Sequence, residues 1–197
     1  MVAKVQALVT DYAGSGGRCR YMRKAIETTA ETSWKSDVKD HWNFDSNISD
    51  QGNRSTGVLH DITIEETGNS VFGKALKFGT GTDKYMSLEN YINTGTGQTS
   101  FSMWYKYDTS ITETNTNASA VLLQHEDKGN RSGRTLLSLK SDGKYDTFIN
   151  GERTAATEKA VQKGDWQHIT VVFDQEAKTV KYYINGELDG TAKNDWE

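Results

Sequence analysis

The sequence predicts an all-β jelly-roll sandwich preceded by a short helical segment, and three observations carry that prediction. From His41 onward, polar and hydrophobic residues alternate with period two in short segments rich in β-branched and aromatic side chains. The segments are separated by Gly, Asn and Asp; with 18 glycines and no proline, the chain must reverse on residues that tolerate positive φ. Hydrophobic residues make up 35% and aromatics 10% of the 197 residues, which is enough for one thin core and too aromatic for a disordered chain.

Residues 1–38 read differently from the rest. An alternating run at Val5, Ala7 and Val9 ends at the glycine cluster 14–17. Tyr21, Met22, Ala25, Ile26 and Thr29 then recur at helical spacing, which predicts an amphipathic helix over 18–32 with a solvated basic side of Arg18, Arg20, Arg23 and Lys24. Cys19 within it reads as a small, partly buried residue. Residues 39–197 form the predicted sandwich, with strands over 41–45, 58–64, 75–78, 85–88, 99–107, 120–125, 134–140, 145–149, 166–174 and 179–184. Asp142-Gly143, Asn150-Gly151 and Asn185-Gly186 are type I′ hairpin signals. The stretches 109–117 and 126–133 read as exposed loops.

Charge and cysteine usage narrow the function. There are 23 basic and 27 acidic residues, a net charge of −4, which argues against a nucleic-acid binder. One cysteine makes no internal disulfide and no zinc site. No apolar run approaches the roughly 18 residues that cross a bilayer, and Met1-Val2-Ala3-Lys4 lacks a signal sequence's apolar region. The expectation is a cytoplasmic protein or a piece of a longer secreted chain.

The most informative segment is 164–190. Alternation sets Trp166, His168, Thr170 and Val172 on one face and Ile169, Val171 and Phe173 on the other. Both faces are largely apolar, so this hairpin belongs inside a two-sheet sandwich. The Trp166-Gln-His168 opening, the turn containing Asp174 and the Tyr182-Tyr-Ile-Asn-Gly186 ending resemble the signature hairpin of the laminin G-like, concanavalin A-like lectin/glucanase superfamily. In the family's order, His41-Trp-Asn-Phe-Asp45 resembles its opening strand, 50–53 the turn after it, Phe72-Gly-Lys-Ala-Leu-Lys-Phe78 the strand before its polar loop, and 100–106 its central strand. The resemblance covers roughly residues 40–191. Family members continue with strands that return to pair with the first, whereas this chain ends at Trp196-Glu197. The expectation is a sandwich that is truncated, closed by another chain or completed by the N-terminal segment, with an open sheet edge suited to a strand-completing partner or a homodimer.

The resemblance implies a non-catalytic carbohydrate-recognition module, part of a larger secreted or surface-bound bacterial glycoside hydrolase or adhesin, with a glycan as partner. Glucanases of this fold set paired glutamates on one strand. The nearest match is Glu187-Leu188-Asp189, and Thr191 and Ala192 stand where the second glutamate belongs. There is no Gly-x-Ser-x-Gly elbow. His168 is read as a buried structural histidine rather than a base or ligand, and His41, His60 and His125 as surface or packing residues. The cation the resemblance implies is calcium, with Asp83 and Asp50 as candidate ligands and Asp127 behind them; solvated or turn-capping carboxylates are the competing reading.

Sugar recognition asks for an aromatic ring flanked by polar side chains. The candidates are Tyr91 with Asn90 and Asn93, Tyr107 with Asp108 where a predicted strand passes into a loop, and Arg131 with Asn130 and Glu126 in a predicted loop. Two rival functions are a structural spacer or protein–protein module, and a divergent glycosidase.

Overall fold

Strand alternation stacks two sheets because it gives each strand one apolar face, and only another such face can cover it. The computed structural model describes residues 2–4, 10–12, 41–45, 47–48, 56–68, 73–78, 83–88, 98–106, 119–127, 130–140, 142–149, 152–153, 158, 160 and 164–193. The described strands are β1 (Val2–Lys4), β2 (Thr10–Tyr12), β3 (Gly57–His60), β4 (Thr63–Glu66), β5 (Lys74–Lys77), β6 (Tyr85–Leu88), β7 (Gln98–Lys106), β8 (Ser119–Asp127), β9 (Asn130–Lys140), β10 (Tyr145–Ile149), β11 (Glu152–Arg153), β12 (Gln167–Asp174), β13 (Thr179–Ile184) and β14 (Glu187–Lys193). The larger sheet has eight strands in the order β14-β13-β12-β7-β1-β5-β4, with β2 also on β7. A four-stranded sheet runs β11-β10-β9-β8, and β3 and β6 form a separate two-stranded ribbon. Neighbouring strands are antiparallel throughout. No helix among the described residues is long and apolar enough to cross a membrane.

The main core lies between the two larger sheets. Phe101, Met103 and Tyr105 of β7, Ile169, Val171 and Phe173 of β12, and Val180, Tyr182 and Ile184 of β13 pack with Leu137, Leu139, Tyr145 and Ile149 of β9 and β10. The Ile169, Val171 and Phe173 face of β12 is buried in this core, and β12 lies between β7 and β13 as an interior strand, as its two apolar faces led one to expect. Two pairs of hydroxyls bond across the gap. Tyr105 meets Tyr145 hydroxyl to hydroxyl, and Thr147 Oγ1 lies 2.8 Å from Tyr182 Oη.

A smaller core holds Trp42, Phe44, Ile62 and Leu76, with Leu59, Met86 and Leu88 of the ribbon against it, and Phe78 touches both cores. Here the structure corrects the expected strand at 41–45. Phe44 has φ of +63°, which breaks the extended run, so the segment joins no ladder and instead buries Trp42 and Phe44 to 1% exposure each. Asp45 then accepts a hydrogen bond from the Lys74 backbone N–H at 3.0 Å, tying this segment to β5. The expected strand over 58–64 is two strands, because Asp61 takes φ of +50° and turns the chain between β3 and β4.

The hairpin signals at 142–143 and 185–186 are met by left-handed backbones: Gly143 at +80°, Asn185 at +48° and Gly186 at +81°. Residues 150–151 fall between the paired Ile149 and Glu152. Asn130 and Arg131, expected in a loop, instead open β9, where Asn130 pairs with Asp127 of β8. The predicted helix 18–32 and the run Val5–Val9 lie outside the described residues, whereas β1 stands between β5 and β7, pairing with both. Sequence reading did not separate out β1, β2, β11 or β14. The outermost strand on one side, β4, carries Glu65 and Glu66, which pair with Lys77 at 2.8 Å and Lys74 at 3.8 Å.

Two glycines of the β4–β5 connection separate backbone strain from contact. Gly68 has φ of +70° with open space where a Cβ would sit, while at Gly73, with φ of +58°, a Cβ would strike Asp45 Oδ1. Gly68→Ala should cost about 1 kcal/mol through its left-handed backbone alone. Gly73→Ala should cost about 3 kcal/mol, because it also displaces Asp45 from the Lys74 amide. Urea unfolding of the two variants measures the difference.

Candidate functional site

The β3–β6 ribbon presents the most accessible aromatic ring among the described residues. Leu59 pairs with Met86 and Gly57 with Leu88 on the face toward the smaller core, which leaves the pairs Val58 with Ser87 and His60 with Tyr85 on the opposite face. Tyr85 is 47% exposed and Val58 38%. The His60 imidazole lies flat against the Tyr85 ring, with centroids 4.1 Å apart and planes 15° from parallel. Its Nε2 is 2.9 Å from Ser87 Oγ, which fixes the imidazole in the plane of the stack. One face of Tyr85 is thus backed by the His60 imidazole, which the Ser87 hydroxyl holds.

A charged pair closes the end of this ribbon. Asp61 directly follows His60, and Lys84 directly precedes Tyr85. Lys84 Nζ donates to the Asp61 carboxylate and lies 3.3 Å from the Asp61 carbonyl oxygen. Asp83, the candidate calcium ligand, is exposed beside Lys84. Among the described residues no three His, Cys, Asp or Glu side chains gather as a metal site. Asp50, Tyr91, Asn93 and Tyr107 lie outside the described residues, as do Asn90 and Asp108. Asn130 and Arg131 stand at the start of β9, and Asp127 at the end of β8.

The polar residues of the signature hairpin serve the fold. Asn185 Oδ1 accepts from His168 N–H at 2.9 Å while Asn185 N–H donates to the His168 carbonyl at 2.8 Å, clamping the hairpin turn onto β12. Asp174 accepts from Gln98 at 2.6 Å and from the Ala177 amide at 2.8 Å, which shapes the β12–β13 turn. Asp189, in the glucanase-like triplet, accepts from the Glu158 backbone N–H at 2.8 Å, while Glu187 is exposed.

His168 sits across from Trp104 in the β7–β12 ladder, with ring centroids 5.0 Å apart. Its Nε2 is 2.7 Å from Ser102 Oγ, and that oxygen is 3.1 Å from Thr170 Oγ1. A serine hydroxyl beside a histidine is the start of a nucleophilic pair, but Ser102 is 7% exposed in the middle of a ladder, where no substrate carbonyl reaches it. Burial lowers the His168 pKa from 6.5 to about 4, so the imidazole is neutral at neutral pH, as a structural histidine requires.

The candidate-site residues that the sequence did not single out are Tyr85, His60 and Ser87, since Tyr85 lay in a predicted strand and His60 read as a surface or packing residue. The signal was present in Tyr85-Met-Ser-Leu88, whose alternation puts Tyr85 and Ser87 opposite Met86 and Leu88.

Two facing antiparallel sheets with a ring-bearing ribbon define the class, a jelly-roll β-sandwich. Residues 80–197 match the family described as the concanavalin A-like lectin/glucanases superfamily, and the chain belongs to it. Among solved structures it is similar to the carbohydrate-binding module CBM66 from Bacillus subtilis, at 14% identity over 71% of this chain and 80% of that one, with a TM-score of 0.33. No curated protein matches the sequence.

The His168 environment makes a signed prediction. The unfolded chain protonates this imidazole near pH 6.5 and the folded chain only near 4, so the folded state loses stability as pH falls through that window and the loss levels off below it. The His168 share should be about 3 kcal/mol at most. Urea-derived stabilities at pH 7 and pH 4.5 should therefore differ more in the wild type than in His168→Gln.

Proposed function

We propose that the chain is a non-catalytic carbohydrate-recognition module of a larger secreted or surface-bound bacterial protein, such as a glycoside hydrolase or an adhesin, and that Tyr85 carries the contact. The observation behind this reading is the exposed Tyr85 ring, backed by His60 and flanked by Ser87. The C–H face of a pyranose or furanose ring packs on such a surface, and nearby imidazole and hydroxyl groups bond its hydroxyls. Family membership supports the reading, because this scaffold carries lectins as well as glucanases. The engagement of Asp189 by a backbone amide supports a non-catalytic role, since that carboxylate holds the Glu158 segment. Tyr91, Asn93 and Tyr107, with Asn130 and Arg131 at the start of β9, are proposed as further glycan contacts on the strength of their residue types.

A glycan array followed by calorimetry on the best binder tests the proposal. Tyr85→Ala should weaken binding about tenfold, equivalent to about 1.4 kcal/mol, while Tyr85→Phe keeps the stacking surface and most of the affinity. A cooperatively folded protein that binds no glycan, or one whose binding ignores Tyr85→Ala, overturns the assignment and leaves the spacer or protein-binding reading.

A further inference from the structure

The family resemblance brings with it the idea of a calcium ion gathering loop oxygens, and the ribbon shows what such an ion would meet. The Asp61 main-chain carbonyl and carboxylate are both engaged by the Lys84 ammonium. These are the hard oxygen donors that calcium takes. A divalent ion on the same oxygens would have to displace an ammonium or share its position, and like charges repel strongly at that separation. At this turn the described residues therefore do not fit calcium.

We infer that Lys84 is a positioning residue whose ammonium does at this turn the work a bound cation would do, so the Tyr85–His60 platform is set without calcium. Asp61 and Lys84 adjoin His60 and Tyr85, and those two residues are partners in the ladder, so one ionic contact ties together the two strand ends that carry the stacked rings. Asp61 holds a left-handed backbone at φ +50°, a conformation non-glycine residues seldom adopt, and the Lys84 contact reaches its carbonyl and its side chain together. Lys84 is the more sheltered partner, its side chain 24% exposed against 77% for Asp61, so the ammonium is anchored and the carboxylate comes to it. Removing the ammonium frees Asp61 to leave that backbone conformation, and the ends of β3 and β6 part.

The role of the platform rests on the carbohydrate reading, but the ring geometry does not, so the test reads the two separately. In a proton–carbon NMR spectrum of the full chain, the ring current of Tyr85 shifts the His60 imidazole signals, and Tyr85→Ala marks their position without it. Lys84→Met should move the His60 signals most of the way to that position, Lys84→Arg should leave them near the wild type, and neither calcium chloride nor EDTA should move the wild-type signals. If Lys84→Met does not fold, Asp61→Asn removes the same ionic contact and takes its place. With a bound glycan in hand, Lys84→Met should weaken binding up to about fivefold, as expected for a partly exposed ion pair, with rescue by Lys84→Arg. His60 signals that ignore loss of the ionic contact, or that respond to calcium, overturn the inference. Failure of every glycan to bind would overturn the carbohydrate reading and leave the NMR result standing.

Discussion

A tyrosine that reaches from one sheet toward another places a hydroxyl in a space with no water, and an unbonded hydroxyl there costs more than the ring gains by burial. Tyr105 and Tyr182 of the larger sheet face this constraint, and each is answered from the four-stranded sheet, by Tyr145 and Thr147 respectively. The Tyr105 and Tyr145 rings meet edge to face with centroids 5.9 Å apart, so packing and hydrogen bonding agree on one geometry. Apolar contact alone lets two sheets slide over one another; two hydroxyl bonds at separate points of the interface fix where they stop. With 35% hydrophobic residues, the chain makes a unique sandwich by adding directional bonds to a thin core.

Polar side chains of the segments that resemble the family are spent on this architecture. Asn185 binds the backbone of His168, Asp174 shapes the next turn, and Asp45 joins the Trp42–Phe44 segment to β5. Each replaces a strand partner or turn bond that the backbone would otherwise lack. The proposed recognition uses positions that the fold does not need. On the ribbon, the inward residues Leu59, Met86 and Leu88 meet the packing requirement, which leaves the outward row of Val58, His60, Tyr85 and Ser87 free to vary in chemistry.

The sequence was legible wherever one strand face met a core. The strands at 85–88, 145–149 and 179–184 match their observed limits because alternation is regular there, and hairpin signals bound 145–149 at both ends and 179–184 at its end. At 41–45 the same alternation misled, since Trp42 and Phe44 are buried by a left-handed kink at Phe44 and not by a ladder. Asp61 hid the division between β3 and β4, because nothing in a run of β-formers announces a left-handed aspartate. Strand β14 was missed because its row of Glu187, Leu188, Thr191 and Lys193 is exposed and so lacks the apolar period that marks a strand. The exposed ring was overlooked for the opposite reason: a tyrosine in a good strand reads as core until its partner across the ladder is known, and that partner, His60, is 25 residues away in sequence.

The charged pairs along β4 bear on how an outermost strand meets another chain. An outermost strand offers a row of unused backbone groups to any extended chain that arrives. A second molecule laid antiparallel along β4 would gather four carboxylates, Glu65 and Glu66 from each copy, on one new ladder. The hydrogen bond from Lys77 holds the Glu65 carboxyl below its ordinary range, which keeps that repulsion in force into mildly acidic solution. On this side of the large sheet charge rather than shape opposes fibre-like growth, and the opposition weakens in strong salt and in strong acid.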